Sequence, residues 1–341
     1  MNQSPYSLRT VIGLDIGRST VKAVTRSKNG NSAIQVMFPS IVAPAIEIST
    51  DSERSKAALD TVVVNGKSYF FGETAAIQSR VDLDSGMRDD WVFTDEHRAL
   101  FLGAIKRLKN RGVERTENAI VVVGLPGKHY SNQRGALKDD LSKIYPEGQI
   151  IVLPQPLGPF QLMQFQSNGL ESDELQRRGN SWGIIEIGQY TTDFCVVLNG
   201  RIVERCFGSS NGMTVVAENL QKLLAKRGIS IGLEEASRAF VNRQIKHFGQ
   251  VEDIGDEIDQ SIPALAEDIR VKANALMGEH ARSLDGILLA GGGAPLIFEH
   301  IRSHWPHAKL CDDSRFAVAE GFSRFGAGFQ LHKQNQTVKA A

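Results

Sequence analysis

The sequence has few cysteines and no long apolar run, and each shortage excludes a class of protein. Three cysteines in 341 residues are too few, and too scattered, for a disulfide framework. No apolar run approaches the roughly 20 residues of a membrane span, and the first residues lack the apolar stretch of a signal peptide. Cys195 and Cys206 fall in apolar stretches and are predicted to be buried thiols. We therefore expect a cytoplasmic protein that does not bind membranes.

The chain also lacks a net charge, because its 39 basic residues balance 39 acidic ones. A net charge of zero gives no support for direct DNA binding by bulk electrostatics. Hydrophobic residues make up 41% and charged residues 23% of the sequence, which is typical of globular proteins. A chain of this length is sufficient for two or more domains.

Two stretches share one pattern: an apolar run with one carboxylate, a glycine two residues later, a hydroxyl-rich turn and a second apolar run. The first contains Asp15 and Gly17, and the second contains Glu186 and Gly188. Glycine permits close approach of a ligand, and the N–H and O–H groups of such a turn form an anion nest. The carboxylate would repel phosphate unless a hydrated Mg²⁺ lay between them. One such turn is most simply a glycine hairpin, whereas two suggest similar halves that clamp one nucleotide.

Strands and helices alternate along the sequence, which predicts the α/β class. Asn-Gly pairs at 65–66 and 199–200 predict tight hairpin turns. The polar segment 167–180 is the predicted domain boundary. In the second half we predict strands at 182–187, 192–198 and 201–207, helices at about 212–226, 232–242 and 256–279, and a final helix at about 316–327 that is followed by a polar tail.

Three further segments contain residue types that suit a nucleotide site. The glycine run 291–293 follows a buried strand and leaves bare backbone for a flat group, or it is simply a tight turn. Gln155 stands between two prolines after a strand; its amide can orient an attacking water, as in GTPases, or the corner is only a rigid strand end. Gly212 belongs to the segment 206–213, which is predicted to open a helix. The hydroxyl and N–H groups of this segment either contact a ribose or phosphate or cap the helix.

The order of these motifs resembles that of the actin–hexokinase–heat-shock-chaperone ATPase superfamily. Within it, the chain most resembles the ParM/StbA-type bacterial actin-like proteins that segregate plasmids. The resemblance covers about residues 9–328. It is carried by Gly13-Leu-Asp15-Ile-Gly17, Phe38-Pro-Ser40, Tyr69-Phe-Phe-Gly72-Glu73, Val123-Gly-Leu-Pro126, Leu153-Pro-Gln-Pro156, the second turn, Gly208–Gly212, Leu289-Ala-Gly-Gly-Gly293 and the segment Ser314–Phe322.

The resemblance implies an actin-like (ribonuclease H-like) α/β fold with two similar domains around a nucleotide cleft. Domain I would comprise residues 1–175 plus about 312–335, and domain II residues 176–311. It also implies an ATPase that binds ATP and Mg²⁺, polymerises into dynamic filaments, and segregates plasmid or other mobile-element DNA. The partners would be further copies of the chain and a DNA-binding adaptor at a centromere-like site.

The resemblance also assigns the site residues. Gln155, Asp15 and Glu186 would be catalytic, and Asp15 would hold the magnesium shell. The two turns, the glycine run 291–293 and the segment 206–213 would bind the nucleotide. These residues are Gly17, Arg18, Ser19, Thr20, Lys22, Gly188, Gln189, Thr191, Thr192, Gly212, Gly291, Gly292 and Gly293.

Three positions depart from the family pattern. Glu186 stands where aspartate is usual, so its link to magnesium is less direct. Gln189 stands where a small residue is usual and is expected to crowd the phosphate. Gln155 replaces a carboxylate common in ParM, so hydrolysis is expected to be slow.

Two other functions stay open at this point. A small-molecule kinase of the same superfamily would need a carboxylate base, and Gln155 occupies the place where we would look for it. A non-hydrolysing scaffold would bind nucleotide only in order to assemble.

Overall fold

The computed structural model describes residues 8–26, 32–79, 88–173, 175 and 179–340. It divides the chain into two compact units. Unit 1 comprises Met1–Arg177 and Phe316–Ala341, and unit 2 comprises Arg178–Arg315. Unit 2 is therefore inserted into the sequence of unit 1. No helix within the described ranges is long and apolar enough to cross a membrane.

The strands and helices of the first segment of unit 1 are β1 (Val11–Ile16), β2 (Thr20–Arg26), β3 (Ala33–Pro39), β4 (Val42–Pro44), α1 (Asp51–Leu59), β5 (Thr61–Val64), β6 (Lys67–Phe71), α2 (Gly72–Gln78), α3 (Asp95–Asn110), β7 (Ile120–Leu125), α4 (Gly127–Ile144), β8 (Gln149–Pro154) and α5 (Gly158–Gln164). Those of unit 2 are β9 (Trp182–Ile187), β10 (Thr191–Leu198), β11 (Arg201–Ile202), β12 (Gly208–Asn211), α6 (Thr214–Lys226), α7 (Leu233–Asn242), β13 (Gln244–His247), β14 (Gln250–Asp253), α8 (Gly255–Ser261), α9 (Pro263–Ala281), β15 (Gly286–Ala290), α10 (Ala294–His304) and β16 (Ala308–Leu310). Helix α11 (Ala317–Ala340) then completes unit 1.

The main sheet of unit 1 has the strand order β3-β2-β1-β7-β8, and β4, β6 and β5 form a separate small sheet. Strand β1 is antiparallel to β2 and parallel to β7, which is in turn parallel to β8. Residues of β1 and β7 are almost all buried, as is typical of strands covered on both faces. Helix α11 packs so closely on β1 that a Cβ atom at Gly13 would overlap the carbonyl oxygen of Ala319.

The main sheet of unit 2 repeats this plan. Its order is β11-β10-β9-β15-β16, with β12 also paired to β10. Strand β9 is antiparallel to β10 and parallel to β15, which is parallel to β16. The core of this unit includes Cys195 and Cys206, which are 0% and 1% exposed, so the prediction of buried thiols is confirmed. The shared plan confirms the α/β class and the two similar halves.

The predictions for the segment 201–213 were partly wrong. The predicted strand 201–207 ends at Ile202, because the chain then turns through a short 3-10 helix, Glu204–Cys206. The segment that we expected to open a helix contains β12, which pairs with β10 along Gly208–Asn211. Helix α6 begins only at Thr214.

Two predicted helices have different lengths in the structure. The helix expected at 256–279 is two helices, α8 and α9, and Pro263 is the first residue of the second one. Proline has no N–H to donate within a continuous helix, which accounts for the break. The final helix continues to Ala340 instead of ending near residue 327. No glycine or proline follows Gly328 to stop it.

Candidate functional site

Asp15 is the centre of the candidate site in unit 1. It is the penultimate residue of β1 and is 1% exposed. Lys22, its register partner on β2, places Nζ 2.8 Å from Asp15 Oδ2. The Nε2 amide of Gln155 donates to Asp15 Oδ1 at 2.7 Å. Hydrogen bonds to both oxygens offset the cost of burying the carboxylate. The structure thus brings three predicted site residues into one cluster.

The sheet explains how Gln155 reaches Asp15. Strands β1, β7 and β8 are parallel neighbours, so their carboxyl ends lie at the same edge of the sheet. Strand β8 ends at Pro154, and Gln155 begins a 3-10 helix that contains Pro156. Between β1 and β8 lies Gly124 of β7, and a Cβ built there would lie 3.4 Å from Cβ of Gln155. That contact would be ordinary, and the tighter one, at 3.1 Å, would be to Cε2 of Phe322 on α11.

The turn between β1 and β2 is closed by Gly17 and Ser40. A Cβ at Gly17 would lie 2.9 Å from the carbonyl oxygen of Thr20, so the turn itself requires glycine. The hydroxyl of Ser40 donates to the carbonyl of Gly17. The backbone N–H of Ser40 donates to the carbonyl of Ser19 at 2.9 Å. Ser40 belongs to the Phe-Pro-Ser segment, but its role at the turn was not predicted. The order of the sequence alone gives no sign that Ser40 holds this turn.

The remaining predicted residues of this turn surround Gly17. The hydroxyls of Ser19 and Thr20 are 3.4 Å apart, and Lys22 Nζ would lie 3.6 Å from a Cβ at Gly17. The Arg18 guanidinium donates to the carbonyl of Arg88 at 3.1 Å and lies 5.5 Å from the centre of the Trp91 ring. The side chain of Arg18 is therefore engaged within unit 1, whereas the hydroxyls and Lys22 border the turn.

Glu186 occupies in unit 2 the position that Asp15 has in unit 1, but its neighbour differs. It is the penultimate residue of β9 and is 5% exposed. Its register partner on β10 is Asp193, which is 7% exposed, and directly opposed residues lie on the same face of a sheet. Asp193 was not predicted as a site residue. The signal was available, because it follows Glu186 by the same interval at which Lys22 follows Asp15.

The carboxyl group of Glu186 lies between the second turn and the glycine run. A Cβ at Gly291 would lie 2.7 Å from its Oε1, and one at Gly188 would lie 4.0 Å from its Oε2. Gly212 joins the same group, since a Cβ there would lie 2.7 Å from the carbonyl oxygen of Gly188. Unit 2 thus gathers predicted site residues from three separate segments around the end of β9.

The three glycines of the run 291–293 have different reasons to be glycine. Gly291 has a φ of 89°, which side chains other than glycine rarely adopt. A Cβ at Gly293 would lie 2.6 Å from Cγ of Met213. At Gly292 the nearest atom would be Nε of Arg315, at an ordinary 3.5 Å. The fold therefore requires glycine at the outer two positions, and only Gly292 leaves a bare surface that packing does not use.

The side chains of Gln189 and Thr192 are bonded within unit 2. Gln189 Nε2 donates to the Ser237 hydroxyl of α7 at 2.8 Å, and the crowding of a phosphate by this residue stays a prediction. The buried Thr192 hydroxyl donates to the carbonyl of Asn211 at 2.8 Å, which is a structural role. Thr191 is exposed, and its carbonyl accepts from the Gly188 N–H at 2.9 Å.

The donor set fits a magnesium nucleotide better than a metal held by protein alone. Mg²⁺ usually binds one or two carboxylates and completes its shell with water and substrate phosphates. Asp15 supplies one such carboxylate, and Lys22 supplies a cation for phosphate. Within the described ranges, no group of three histidine, cysteine, aspartate or glutamate side chains is placed to hold a metal ion.

Comparison with solved structures identifies the fold. A 15-stranded ParM filament from Clostridium botulinum has 21% identity and a TM-score of 0.71, covering 93% of this chain and 99% of that one. The actin-like protein Alp7A has 13% identity and a TM-score of 0.72, covering 98% and 100%. An archaeal actin homologue in complex with ADP has 16% identity and a TM-score of 0.64, covering 95% and 99%.

Family models agree with this fold. The model of the N-terminal domain of actin-like proteins matches residues 13–158, and that of the C-terminal domain of archaeal MreB-like actin homologues matches residues 184–303. No curated protein sequence matches the chain. The two models lie in different units and together cover most of the sequence. The chain therefore belongs to the actin-like proteins, as its motifs predicted.

Proposed function

We propose that this actin-like protein is an ATPase that polymerises with ATP and Mg²⁺ into dynamic filaments. Through a DNA-binding adaptor, these filaments would segregate plasmid or other mobile-element DNA. The observation that carries the proposal is the cluster of Asp15, Lys22 and Gln155 at one edge of the unit 1 sheet. Two relatives support it, since one forms a filament and another was solved with the ATP analogue AMPPNP.

Each residue of the cluster has a chemical role in this proposal. Lys22 and the backbone N–H groups of the first turn bind phosphate. Asp15 would hold the hydration shell of Mg²⁺, and the ion would neutralise charge on the phosphates. Gln155 donates its N–H to Asp15, and this bond orients the amide so that Oε1 accepts a hydrogen bond from the attacking water. An amide cannot take up the proton, so turnover is slow until assembly improves the geometry.

Substitution of Gln155 tests the hydrolytic role. Gln155→Ala removes the group that orients the water but leaves Asp15 and Lys22 in place. It should retain ATP binding and assembly, slow phosphate release by about ten-fold or more (about 1.4 kcal/mol per decade), and give longer-lived filaments. Gln164→Ala is the matched control, because it removes a half-buried glutamine from α5 of the same unit. Phosphate release at the parent rate from Gln155→Ala would make this corner only a rigid strand end.

Two further measurements separate the proposal from its alternatives. Phosphate release from ATP in the absence of any acceptor excludes a kinase as the sole activity. Pelleting with ATP, compared with a slowly hydrolysed analogue, distinguishes a dynamic filament from a static scaffold, since only the former disassembles as ATP is consumed. Asp15→Ala should abolish magnesium-dependent hydrolysis, whereas Asp139→Ala, at an exposed carboxylate of α4, should not.

A further inference from the structure

The tip of the β13–β14 hairpin carries an aromatic residue where none is expected. Phe248 is 95% exposed, the most of any large apolar side chain in the described ranges. Its φ is 45°, a value that bulky residues rarely adopt. The backbone of Phe248 is strained, and its ring contacts the neighbouring His247 ring, with centroids 4.5 Å apart, before it reaches solvent, so the side chain contributes little to the stability of its own hairpin.

Two other hairpins of the same chain show which residue types suit a turn with this backbone conformation. The turns of β5–β6 and β10–β11 also have two residues with positive φ, and both use Asn-Gly. The φ values are 50° and 76° at Asn65-Gly66, and 50° and 75° at Asn199-Gly200. They are 45° and 87° at Phe248-Gly249. Asn-Gly is the favoured pair for such turns, so the fold alone does not account for phenylalanine at the third one.

The base of the hairpin is anchored, although its tip projects. Arg243 donates to the carbonyl of Gly255 at 2.7 Å and pairs with Asp259 at 2.7 Å. Arg227 bridges Glu252 of β14 and Glu257 of α8 at 3.1 and 2.8 Å. Because the hairpin is held in one place before any partner arrives, a contact at its tip loses less conformational entropy.

We infer that Phe248 is a self-assembly contact, through which one copy of the chain packs on a second copy. The inference rests on the assembly proposed above and names a surface for it. Aromatic side chains are enriched among residues that dominate binding energy at interfaces. In a filament, this side chain would pack on a different surface of the next copy, because head-to-tail contacts that do not close into a ring produce open polymers. The net charge of zero means that copies do not repel one another at long range.

Phe248→Asn tests the contact while improving the turn. The variant has Asn-Gly at this turn, as the other two hairpins do, so its melting temperature should equal or exceed that of the parent. Its critical concentration for pelleting with ATP and Mg²⁺ should rise by at least about five-fold, as for loss of an interface aromatic. ATP binding below the critical concentration should stay unchanged. Val271→Gln, at a 54% exposed site on α9 of the same unit, should assemble like the parent.

The outcomes separate this inference from the proposed function. If the parent chain does not pellet with any nucleotide, both fall together. If the parent pellets and Phe248→Asn pellets at the same concentration, only the inference is overturned. An equal loss of assembly in Val271→Gln would also overturn it, because the effect would then be general to exposed apolar side chains. A photo-crosslinking phenylalanine analogue at position 248 should give covalent dimers under assembling conditions, and its failure to do so would contradict the contact.

Discussion

At the scale of single residues, the two turns are alike in backbone and unlike in charge. Asp15 is opposed by Lys22, whereas Glu186 is opposed by Asp193. The first turn therefore has a cation beside its carboxylate, and the second has two carboxylates on one face of the sheet. A cation suits direct contact with phosphate, and paired carboxylates suit a hydrated metal or hydroxyl groups. The turns are therefore not chemically interchangeable.

His97, a residue outside the candidate site, has a strongly shifted pKa. His97 of α3 is fully buried beside Trp91, with ring centroids 5.1 Å apart. Burial lowers the pKa of His97 to about 3, a shift that the negative charge of Asp140 opposes and the positive charge of Arg98 reinforces. In an unfolded chain the pKa of histidine is about 6.5. Between pH 6.5 and 3 the unfolded state thus binds a proton that the folded state does not.

We therefore predict that unit 1 loses stability as the pH falls below about 6.5. Each pH unit should lower the free energy of unfolding by about 1.4 kcal/mol through His97, down to a pH of about 3. His97→Leu should flatten this dependence, and His300→Gln, at an exposed site on α10, should leave it intact. Denaturant titrations at pH 7, 6 and 5 measure the slope. An equally steep slope in His97→Leu would assign the acid sensitivity to other groups.

At the scale of elements, the loop between β15 and α10 separates the requirements of folding from those of a ligand. We predict that Gly291→Ala lowers the melting temperature, because the residue has a φ of 89° and its Cβ would overlap the carbonyl oxygen of Ile187. Gly292→Ala should fold with the parent melting temperature, since its Cβ has space, yet bind ATP at least about five-fold more weakly by loss of close backbone approach. Calorimetry of unfolding and of nucleotide binding measures both effects. Parent affinity in Gly292→Ala would show that this loop does not contact the nucleotide.

Two further glycine substitutions, one in β1 beneath α11 and one in α4, should change the free energy of unfolding in opposite directions. Gly13→Ala should lower the free energy of unfolding by at least about 2 kcal/mol, because the added methyl group would overlap the backbone of α11. Gly135→Ala should raise it by about 0.5–1 kcal/mol, because this residue of α4 has no atom within 4 Å of the new methyl group and alanine favours the helix. Chemical denaturation measures both. A tolerated Gly13→Ala would mean that α11 moves away from β1 with little loss of free energy.

Local signals predicted the elements better than they predicted the site. Asn-Gly gave two hairpins correctly, whereas β13–β14 was missed because Phe248-Gly249 carries no comparable turn signal. The two helices α8 and α9 were merged because Pro263, which suits the first position of a new helix, was not read as a helix start. The bond between Gln155 and Asp15 depends on the alignment of three strands, which no local pattern specifies. The resemblance to a known family assigned both residues to one site, but it did not predict the bond between them.

At the scale of the whole molecule, nucleotide binding should raise the melting temperature of the protein. A ligand that binds only the folded chain raises its free energy of unfolding, by about 2.7 kcal/mol at one hundred times the dissociation constant. We predict a higher melting temperature with ATP and Mg²⁺, measured below the critical concentration so that assembly does not contribute. Asp15→Ala should lose most of the magnesium-dependent part, and Asp139→Ala should retain it. No change in the parent on addition of ATP and Mg²⁺ would contradict nucleotide binding.

The close packing of α11 on β1 also has a consequence for how the protein is made. Strand β1 precedes unit 2 along the chain, and α11 follows it. All of unit 2 is synthesised between them, so it has its complete sequence before unit 1 has its last helix, and domains commonly fold as they emerge. Until α11 arrives, the face of β1 around Gly13 lacks its cover. Unit 1, with its Asp15 cluster, is therefore expected to complete its packing after unit 2 has its full sequence.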